Sequence, residues 1–175
     1  MTRKLEKLIK FVRFCDDLAT LSTCKRAQCG AIIFDWGFRG VLGIGYNGQP
    51  AGTDNGACNG VEGVCGCVHA EANCLIKVPR GDGSRRDLAM YSTTYPCPHC
   101  AGLIANHGDV LCVFYAKPYR AQALSESILR NAGIHVARVM PSVTGTGTTI
   151  TLQASLWTDE LKKAVESLED TLENL

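Results

Sequence analysis

The sequence predicts an α/β protein with a mixed, five-stranded sheet that is covered by helices on both faces. Two apolar runs near the N-terminus flank a glycine-containing turn and indicate an antiparallel hairpin. From residue 68 to residue 140, segments with helical spacing alternate with apolar, strand-like runs. This alternation favours parallel strands, because the helix between two parallel strands must cross over one face of the sheet.

The N-terminal third supplies one helix and the hairpin. Residues 3–22 carry apolar side chains at helical spacing, which predicts an amphipathic helix. CGAIIF (29–34) and VLGIGY (41–46) are predicted strands, and DWGFRG (35–40) provides the glycines and the aspartate of the turn between them. Residues 45–66 are rich in glycine and asparagine, and so long a loop in a compact domain is usually functional or held in place by further contacts.

The middle of the chain supplies the alternating part of the sheet. A predicted helix from Val68 ends before Pro79, and Pro96 is expected to open the next helix. A third helix, ALSESILRNAG, is closed by Gly133. The predicted strands of this part are LAMYSTT (88–94), DVLCVFYA (109–116) and IHVARVM (134–140).

The C-terminal segment differs in composition, and we place a boundary at residue 140. Residues 1–140 are interpreted as the main domain, and residues 141–175 as an extension that belongs to the same domain or contacts another subunit. VTGTGTTITLQAS (143–155) is compatible with a strand or a loop. The last helix is predicted to be amphipathic, with apolar residues at Leu161, Val165, Leu168, Leu172 and Leu175.

Composition and charge limit the class of protein. The chain has 175 residues, 46% of them hydrophobic, and a formal net charge of +1. A single domain with a sizeable core is therefore expected, and a broad basic surface for nucleic acid is not. The charged N-terminus lacks the apolar stretch of a signal peptide, and the longest apolar run, 110–116, is too short to span a bilayer. We expect a soluble, cytoplasmic protein without nucleic-acid or membrane partners.

The pattern that carries most chemistry consists of His69, Glu71, Cys97 and Cys100. Two cysteines at a helix N-terminus can bind one metal ion, because free N–H groups and the helix dipole stabilise thiolates. Together with one histidine they make three protein ligands, which leaves a fourth position for water, as in catalytic zinc sites. Glu71 can reach the same cavity and transfer protons. The alternative is a structural zinc clamp in which Glu71 has no chemical role.

HAE (69–71) followed by PCPHC (96–100) resembles the cytidine deaminase superfamily. The resemblance covers about residues 5–140 and is greatest to the deoxycytidylate (dCMP) deaminases, including bacterial and phage members. GYNGQPAG (45–52), the cysteine-bearing insertion before HAE, and Asn73 in HAEAN favour this branch. The resemblance implies a three-layer α/β/α cytidine-deaminase-like fold with a mixed five-stranded sheet.

The implied function is zinc-dependent hydrolytic deamination of dCMP to dUMP. Ammonia leaves from C4 of cytosine, and the product feeds thymidylate synthesis. Residues 1–140 would then be the zinc-dependent deaminase domain. By resemblance, Glu71 is the catalytic proton shuttle, and the ligands of the catalytic Zn²⁺ are His69, Cys97 and Cys100.

The substrate contacts implied by the resemblance lie on both sides of this site. The backbone near Ala70, Thr94 and Tyr95 would hold the pyrimidine edge. Asn47 matches the asparagine that hydrogen-bonds the sugar, although Asn-Gly is also a common turn signal. A nucleotide needs a partner for its 5′-phosphate as well, and arginine suits phosphate because it presents paired donors. The candidates, each of them also compatible with a solvated surface residue, are Lys25, Arg26, Arg80, Lys117, Tyr119 and Arg120.

Further cysteines suggest a second metal. The chain has ten cysteines, and in a protein without disulfides these are metal ligands or small buried residues. Several similar dCMP deaminases carry a structural zinc, and such an ion would supply folding energy that the polar insertion lacks. One or two free loop thiols are the alternative, and His99 or His107 could replace one thiol. The predicted ligands are Cys24, Cys58, Cys65 and Cys67, and the predicted core cysteines are Cys15, Cys29, Cys74 and Cys112.

Regulation and assembly are implied only by the resemblance. Some family members are homohexamers that dCTP activates and dTTP inhibits, with Mg²⁺ accompanying the triphosphate. A deaminase of dCTP, of 5-modified dCMP, of free cytidine or of a base in nucleic acid is an alternative. A non-catalytic, zinc-stabilised interaction module is a third hypothesis, and Glu71 beside an open zinc argues against it.

Overall fold

A computed structural model of the chain describes residues 3–80, 86–144 and 147–156. Within these ranges, no helix is both long and apolar enough to cross a bilayer. The helices are α1 (Arg3–Ala19), α2 (Ala70–Leu75), α3 (Pro98–His107) and α4 (Gln122–Asn131), with a 3₁₀ turn at Asn55–Ala57. The strands are β1 (Gly30–Asp35), β2 (Val41–Tyr46), β3 (Leu88–Thr94), β4 (Val110–Lys117), β5 (His135–Thr144) and β6 (Gly147–Leu156).

The strands form one mixed sheet in the order β2-β1-β3-β4-β5-β6. β1 pairs antiparallel with both β2 and β3, whereas β3, β4 and β5 are parallel to one another. The predicted mixed α/β architecture is confirmed. The number of strands was wrong by one, since the described sheet has six strands rather than five.

The additional strand comes from the C-terminal segment. β6 pairs antiparallel with β5, from Val136 opposite Leu156 to Thr144 opposite Gly147. Threonines and β-branched residues favour a strand wherever a sheet edge offers hydrogen-bonding partners, and β5 offers one here. The boundary expected at residue 140 falls inside β5. The amphipathic helix predicted at 161–175 lies outside the described residues.

Two hydrophobic cores cover the two faces of the sheet, which makes the predicted three layers. Successive side chains of a strand point to opposite faces. On β1, Ile32 and Phe34 join α1 in one core, whereas Ala31 and Ile33 join the core under α2, α3 and α4. α1 therefore forms one outer layer, and the three shorter helices form the other.

A close approach between β2 and α2 sets the position of the site. A Cβ on Gly45 would lie 2.3 Å from the carbonyl oxygen of Ala70 and 2.6 Å from the amide nitrogen of Cys74. Only glycine allows the strand to pass so near the helix backbone. α2 therefore packs directly on the hairpin, and its first turn lies near the carboxyl end of β3.

Candidate active site

α2 and α3 begin near one another, and their first residues carry three metal-ligating side chains. His69 is the N-cap of α2, Cys97 is the N-cap of α3, and Cys100 lies in the first turn of α3. Nδ1 of His69 is 3.3 Å from Sγ of Cys97 and 3.5 Å from Sγ of Cys100. Ligand nitrogen and sulfur atoms around a tetrahedral zinc are about 3.6 Å apart. The three donor atoms are therefore spaced as a zinc ion requires.

The two thiols of this group differ in acidity. A hydrogen bond from Cys100 and contacts with His69 lower the pKa of the Cys97 thiol to about 4. The hydrogen bond to Cys97 and burial raise the pKa of Cys100 above its ordinary value. The pair therefore holds one thiolate by itself, and a divalent cation would release the proton of the second thiol.

Glu71 lies beside this group but is not one of its three ligating residues. It occupies the first turn of α2 and is only 5% exposed. Burial raises the pKa of its carboxyl above the ordinary range. A carboxyl whose pKa is moved toward neutrality can both accept and donate a proton, which suits general acid–base chemistry.

Two of the three ligands, His69 and Cys97, line an open cleft together with Glu71, and the empty volume of the cleft, about 560 Å³, includes space open to solvent. The cleft lies at the carboxyl end of β3, where ligands commonly bind in α/β sheets. Its lining residues are Arg26, Ala27, Cys29, Asn47, His69, Ala70, Glu71, Thr94, Tyr95, Cys97 and Tyr119.

Asn47 lines the cleft and also holds the segment before β1. Its Oδ1 accepts a hydrogen bond from the Cys29 amide at 2.8 Å, and its Nδ2 donates one to the Ala27 carbonyl at 2.8 Å. An amide group has a second hydrogen and a second lone pair, so these bonds leave capacity for a ligand. Asn73 serves the backbone in a similar way, since its Nδ2 donates to the Tyr46 carbonyl at 2.9 Å.

The candidate phosphate contacts separate into two groups. Arg26 and Tyr119 line the cleft, but Lys25 and Arg80 do not. Nζ of Lys25 donates to the Gly56 carbonyl, away from the metal-ligating group. Arg80 extends toward Gly108, the residue that ends α3. It follows the C-terminal end of α2, whereas the site is at the N-terminal end, so the structure does not bring Arg80 to the cleft.

Cys29 differs from its predicted place in the core. It is partly exposed in the cleft, and its Sγ lies 3.6 Å from Oγ1 of Thr94. Because β1 runs antiparallel to β3, the residue that precedes β1 lies beside the residue that ends β3. The antiparallel direction of β1 and β3 therefore determines that Cys29 lies in the cleft. The apolar pattern of CGAIIF does not distinguish a cleft position from a core position.

The structure brings together the four cysteines predicted to bind a second metal. The sulfurs of Cys24, Cys58, Cys65 and Cys67 lie within 4.8 Å of one another, and those of Cys24 and Cys58 are 3.9 Å apart. Sulfurs around a tetrahedral zinc are about 3.8 Å apart, so this donor set also fits zinc. Neither proposed substitute belongs to the group: His99 is exposed, and His107 contacts the Val78 carbonyl at 3.0 Å.

These four thiols also differ in acidity. The backbone N–H of Lys25 lowers the pKa of Cys58 to about 7, and the N–H of Cys67 lowers the pKa of Cys65. Burial raises the pKa of Cys67. Four thiolates this close together need a cation to balance their charge, because like charges in a small volume repel one another.

Three protein ligands and a buried carboxylate on a mixed α/β fold are the arrangement found in zinc-dependent nucleobase deaminases. The sequence profile described as "Cytidine and deoxycytidylate deaminase zinc-binding region" matches residues 5–116. The chain belongs to this family.

Individual relatives agree with this family. ComE operon protein 2 of Bacillus subtilis (strain 168) is 31% identical over 128 residues, which are 70% of this chain and 65% of that protein. The deoxycytidylate deaminase of Saccharomyces cerevisiae is 31% identical over 136 residues, 72% of this chain and 42% of that enzyme. This chain therefore spans between about two fifths and just under two thirds of the length of these relatives. The deoxycytidylate deaminase of Mycobacterium phage D29 is 35% identical over 113 residues, 56% of this chain and 85% of that enzyme.

A solved structure of similar fold contains nucleotides. The crystal structure of dCMP deaminase from the cyanophage S-TIM5, in complex with dCMP and dUMP, matches with a TM-score of 0.65 and 27% sequence identity. The match covers 79% of this chain and 98% of that one.

Proposed function

We propose that this protein hydrolyses dCMP to dUMP and ammonia with the help of a bound zinc ion. The observation that carries the proposal is the buried carboxyl of Glu71 beside the ligating atoms of His69, Cys97 and Cys100, at a cleft that Glu71, His69 and Cys97 line. A structural zinc clamp would not need a buried carboxylate at its open side. The relatives named as deoxycytidylate deaminases support dCMP as the substrate.

In this proposal, His69, Cys97 and Cys100 hold the zinc, and Glu71 moves the protons. A zinc ion bound there would make a water molecule nucleophilic at neutral pH. With zinc bound, Glu71 would pass one proton of the attacking water to N3 of cytosine and the other proton of that water to the departing amine, which leaves as ammonia. Its raised pKa supports both directions of transfer.

The cleft lining suggests how the nucleotide is held. The backbone around Ala70, Thr94 and Tyr95 contacts the pyrimidine edge, and Asn47 uses its remaining amide hydrogen for the sugar. Arg26 binds the 5′-phosphate, because among the described lysines and arginines it alone lines the cleft. Tyr119 lines the cleft too and contributes its hydroxyl.

A substrate panel tests the proposal. Ammonia release is measured from dCMP, dCTP, 5-methyl-dCMP, deoxycytidine and cytidine. Turnover of dCMP with little turnover of deoxycytidine supports the nucleotide assignment and directs mutagenesis to Arg26. Activity on deoxycytidine alone would contradict a phosphate pocket, and no activity on any of them would favour a non-catalytic role.

A second zinc held by Cys24, Cys58, Cys65 and Cys67 belongs to the same proposal. This ion is structural, since four thiolates leave no open position on a tetrahedral metal. The dUMP product would feed thymidylate synthesis in the cytoplasm. We also propose a homohexamer that dCTP activates and dTTP inhibits, with Mg²⁺ bound to the triphosphate. Adding dTTP and Mg²⁺ to the dCMP assay tests the regulation, and light scattering tests the assembly.

A further inference from the structure

Glu62 bridges two arginines at the rim of the cleft. Its Oε1 is 3.4 Å from Nη1 of Arg26 and also forms an ion pair with Nη2 of Arg120. The two arginines come from separate loops, one before β1 and the other after β4. One carboxylate oxygen therefore holds two guanidinium groups that are far apart in the sequence.

Both arginines are connected to the cleft. Arg26 lines it directly. Arg120 lies over the ring of Tyr119, with 6.0 Å between its central carbon and the ring centroid, and Tyr119 is a lining residue. An oxygen atom shared by two guanidinium groups is the arrangement that a phosphate oxygen adopts between arginines. The bridge marks an anion-binding position, and the carboxylate of Glu62 occupies it.

The segment that carries Glu62 is anchored at its ends and exposed at its tip. Cys58 and Cys65 flank it, and their thiols belong to the four-cysteine group. Gly60 and Gly63 on either side of Glu62 have positive φ angles of 74° and 76°, which produce a tight turn. The Glu62 side chain is 42% exposed. It can therefore leave the arginines by rotating about its own bonds, without any movement of the cysteines.

We propose that Glu62 is a latch that occupies the position of the substrate phosphate and must be displaced when a nucleotide binds. A phosphate dianion carries more charge and more acceptor oxygens than a carboxylate, so it replaces Glu62 between Arg26 and Arg120. The displaced side chain of Glu62 then rotates outward, and its carboxylate becomes solvated. This inference rests on the proposed nucleotide substrate. It assigns to Glu62, a residue of the insertion, the role of weakening phosphate binding.

Kinetics with nucleotide and nucleoside test the latch. Replacement of Glu62 by glutamine (Glu62→Gln) removes the competing charge but keeps the size of the side chain. We expect KM for dCMP to fall about two- to tenfold, the range for the loss of one or two exposed ion pairs. KM for deoxycytidine should stay unchanged because this substrate has no phosphate. Glu6→Gln, an exposed carboxylate in the first turn of α1 on the opposite face of the sheet, controls for net charge. An unchanged or higher KM for dCMP in Glu62→Gln would reject the latch.

A binding measurement separates this inference from the proposed function. Inorganic phosphate is titrated calorimetrically into the zinc-loaded wild-type protein and into the Glu62→Gln variant. Tighter phosphate binding by the variant supports the latch even if dCMP is not deaminated, in which case only the proposed substrate fails. Equal phosphate affinity, in a wild type that does deaminate dCMP, rejects the latch and leaves the proposed function in place.

Discussion

At the scale of single residues, Glu71 combines two properties that rarely occur together. It is 5% exposed, and it lies in the first turn of a helix, where free N–H groups favour a negative charge. Burial nevertheless raises the pKa of its carboxyl. A carboxyl held under such opposing influences is more typical of a catalytic group than of a structural one.

Substitution of Glu71 by glutamine should abolish turnover and leave the zinc in place. The amide fills the same space but cannot transfer protons, and loss of a general acid–base residue costs at least about 100-fold in rate. The expected result is a folded protein with wild-type zinc content and at least that loss in kcat for dCMP. Zinc analysis and ammonia release measure the two effects. Loss of the catalytic zinc in this variant would show that Glu71 is a metal ligand, contrary to its assigned role.

Asp35, at the β1–β2 turn, makes a pH-dependent contribution to the stability of the folded protein. Burial acts to raise the pKa of its carboxyl, but hydrogen bonds from the Arg39 side chain and from the backbone of Gly40 and Arg39 lower it below the ordinary 3.8. A lowered pKa in the folded state stabilises the protein above the unfolded-state value, and this stabilisation disappears as pH falls through the folded-state value.

The replacement Asp35→Asn should therefore cost about 1 kcal/mol of unfolding free energy at pH 7, which is less than the usual value of a hydrogen bond to a charged group because the partner Arg39 is exposed to solvent. The difference between the two proteins should shrink below about pH 3.8, the ordinary value of the carboxyl. Urea unfolding of both proteins at a series of pH values measures it. A difference that stays constant down to pH 3 would mean that the charge of Asp35 contributes nothing.

At the scale of elements, the contact between β2 and α2 determines where Glu71 lies. Gly45 faces backbone atoms of α2, which cannot rotate away as side chains can. An added methyl group would therefore push the whole helix, including its first turn, away from the sheet.

The Gly45→Ala variant should lose about 1–3 kcal/mol of stability, the usual cost of overpacking, and its kcat should fall because Glu71 moves with α2. Gly102→Ala is the matched control, since a Cβ at this position in α3 would have no atom within 4 Å. Replacing a helical glycine by alanine should raise stability by about 0.5–1 kcal/mol. Thermal unfolding and dCMP assays of both variants decide the point, and a Gly45→Ala variant with wild-type stability and kcat would refute this packing argument.

A separate prediction concerns the zinc bound by the cysteine-bearing insertion. Cys58 is fully buried among Cys24, Cys65 and Cys67 in a segment with few apolar contacts. Replacement of Cys58 by serine should leave about one zinc per chain instead of two and should lower the melting temperature, because the second donor set would be incomplete. Elemental analysis of purified protein measures the metal. A variant that keeps the wild-type zinc content would remove Cys58 from the second site.

At the scale of the whole molecule, the two donor groups connect parts of the chain that the sheet does not join. The first links the starts of α2 and α3. The second links the insertion to the segment before β1, and Cys24 is 34 residues from Cys58 in the sequence. Metal binding to both groups would therefore connect segments that lie far apart in the sequence.

Removal of zinc with a chelator at pH 7 should abolish deamination and lower the melting temperature by at least about 10 °C, because metal binding to a folded site contributes directly to stability. Addition of Zn²⁺ should restore both, whereas Mg²⁺ should restore neither, since it prefers oxygen ligands. Differential scanning fluorimetry and the dCMP assay measure the effects. Full activity after complete removal of zinc would contradict the proposed mechanism.

The sequence allowed most of the architecture to be predicted, because hydrophobic period and turn residues are local properties. The alternation after residue 68 indicated parallel strands, and β3, β4 and β5 are parallel. The sequence of β6 is compatible with either a strand or a loop, since a threonine-rich segment becomes a strand only when an edge is available to pair with it. The edge of β5 is a tertiary feature and has no local signal.

The sequence by itself determined which residues are candidates for the chemistry of the site. His69, Glu71, Cys97 and Cys100 could be chosen because ligand type and spacing near helix starts depend on the local chain. Only the tertiary structure decided which distant side chains share the cleft. Cys29 and Arg26 line the cleft, whereas Arg80 lies near the C-terminal end of α3. Glu62 forms ion pairs with both Arg26 and Arg120. The physical reason is that strand direction and loop path fix these contacts, and both depend on how the whole chain packs.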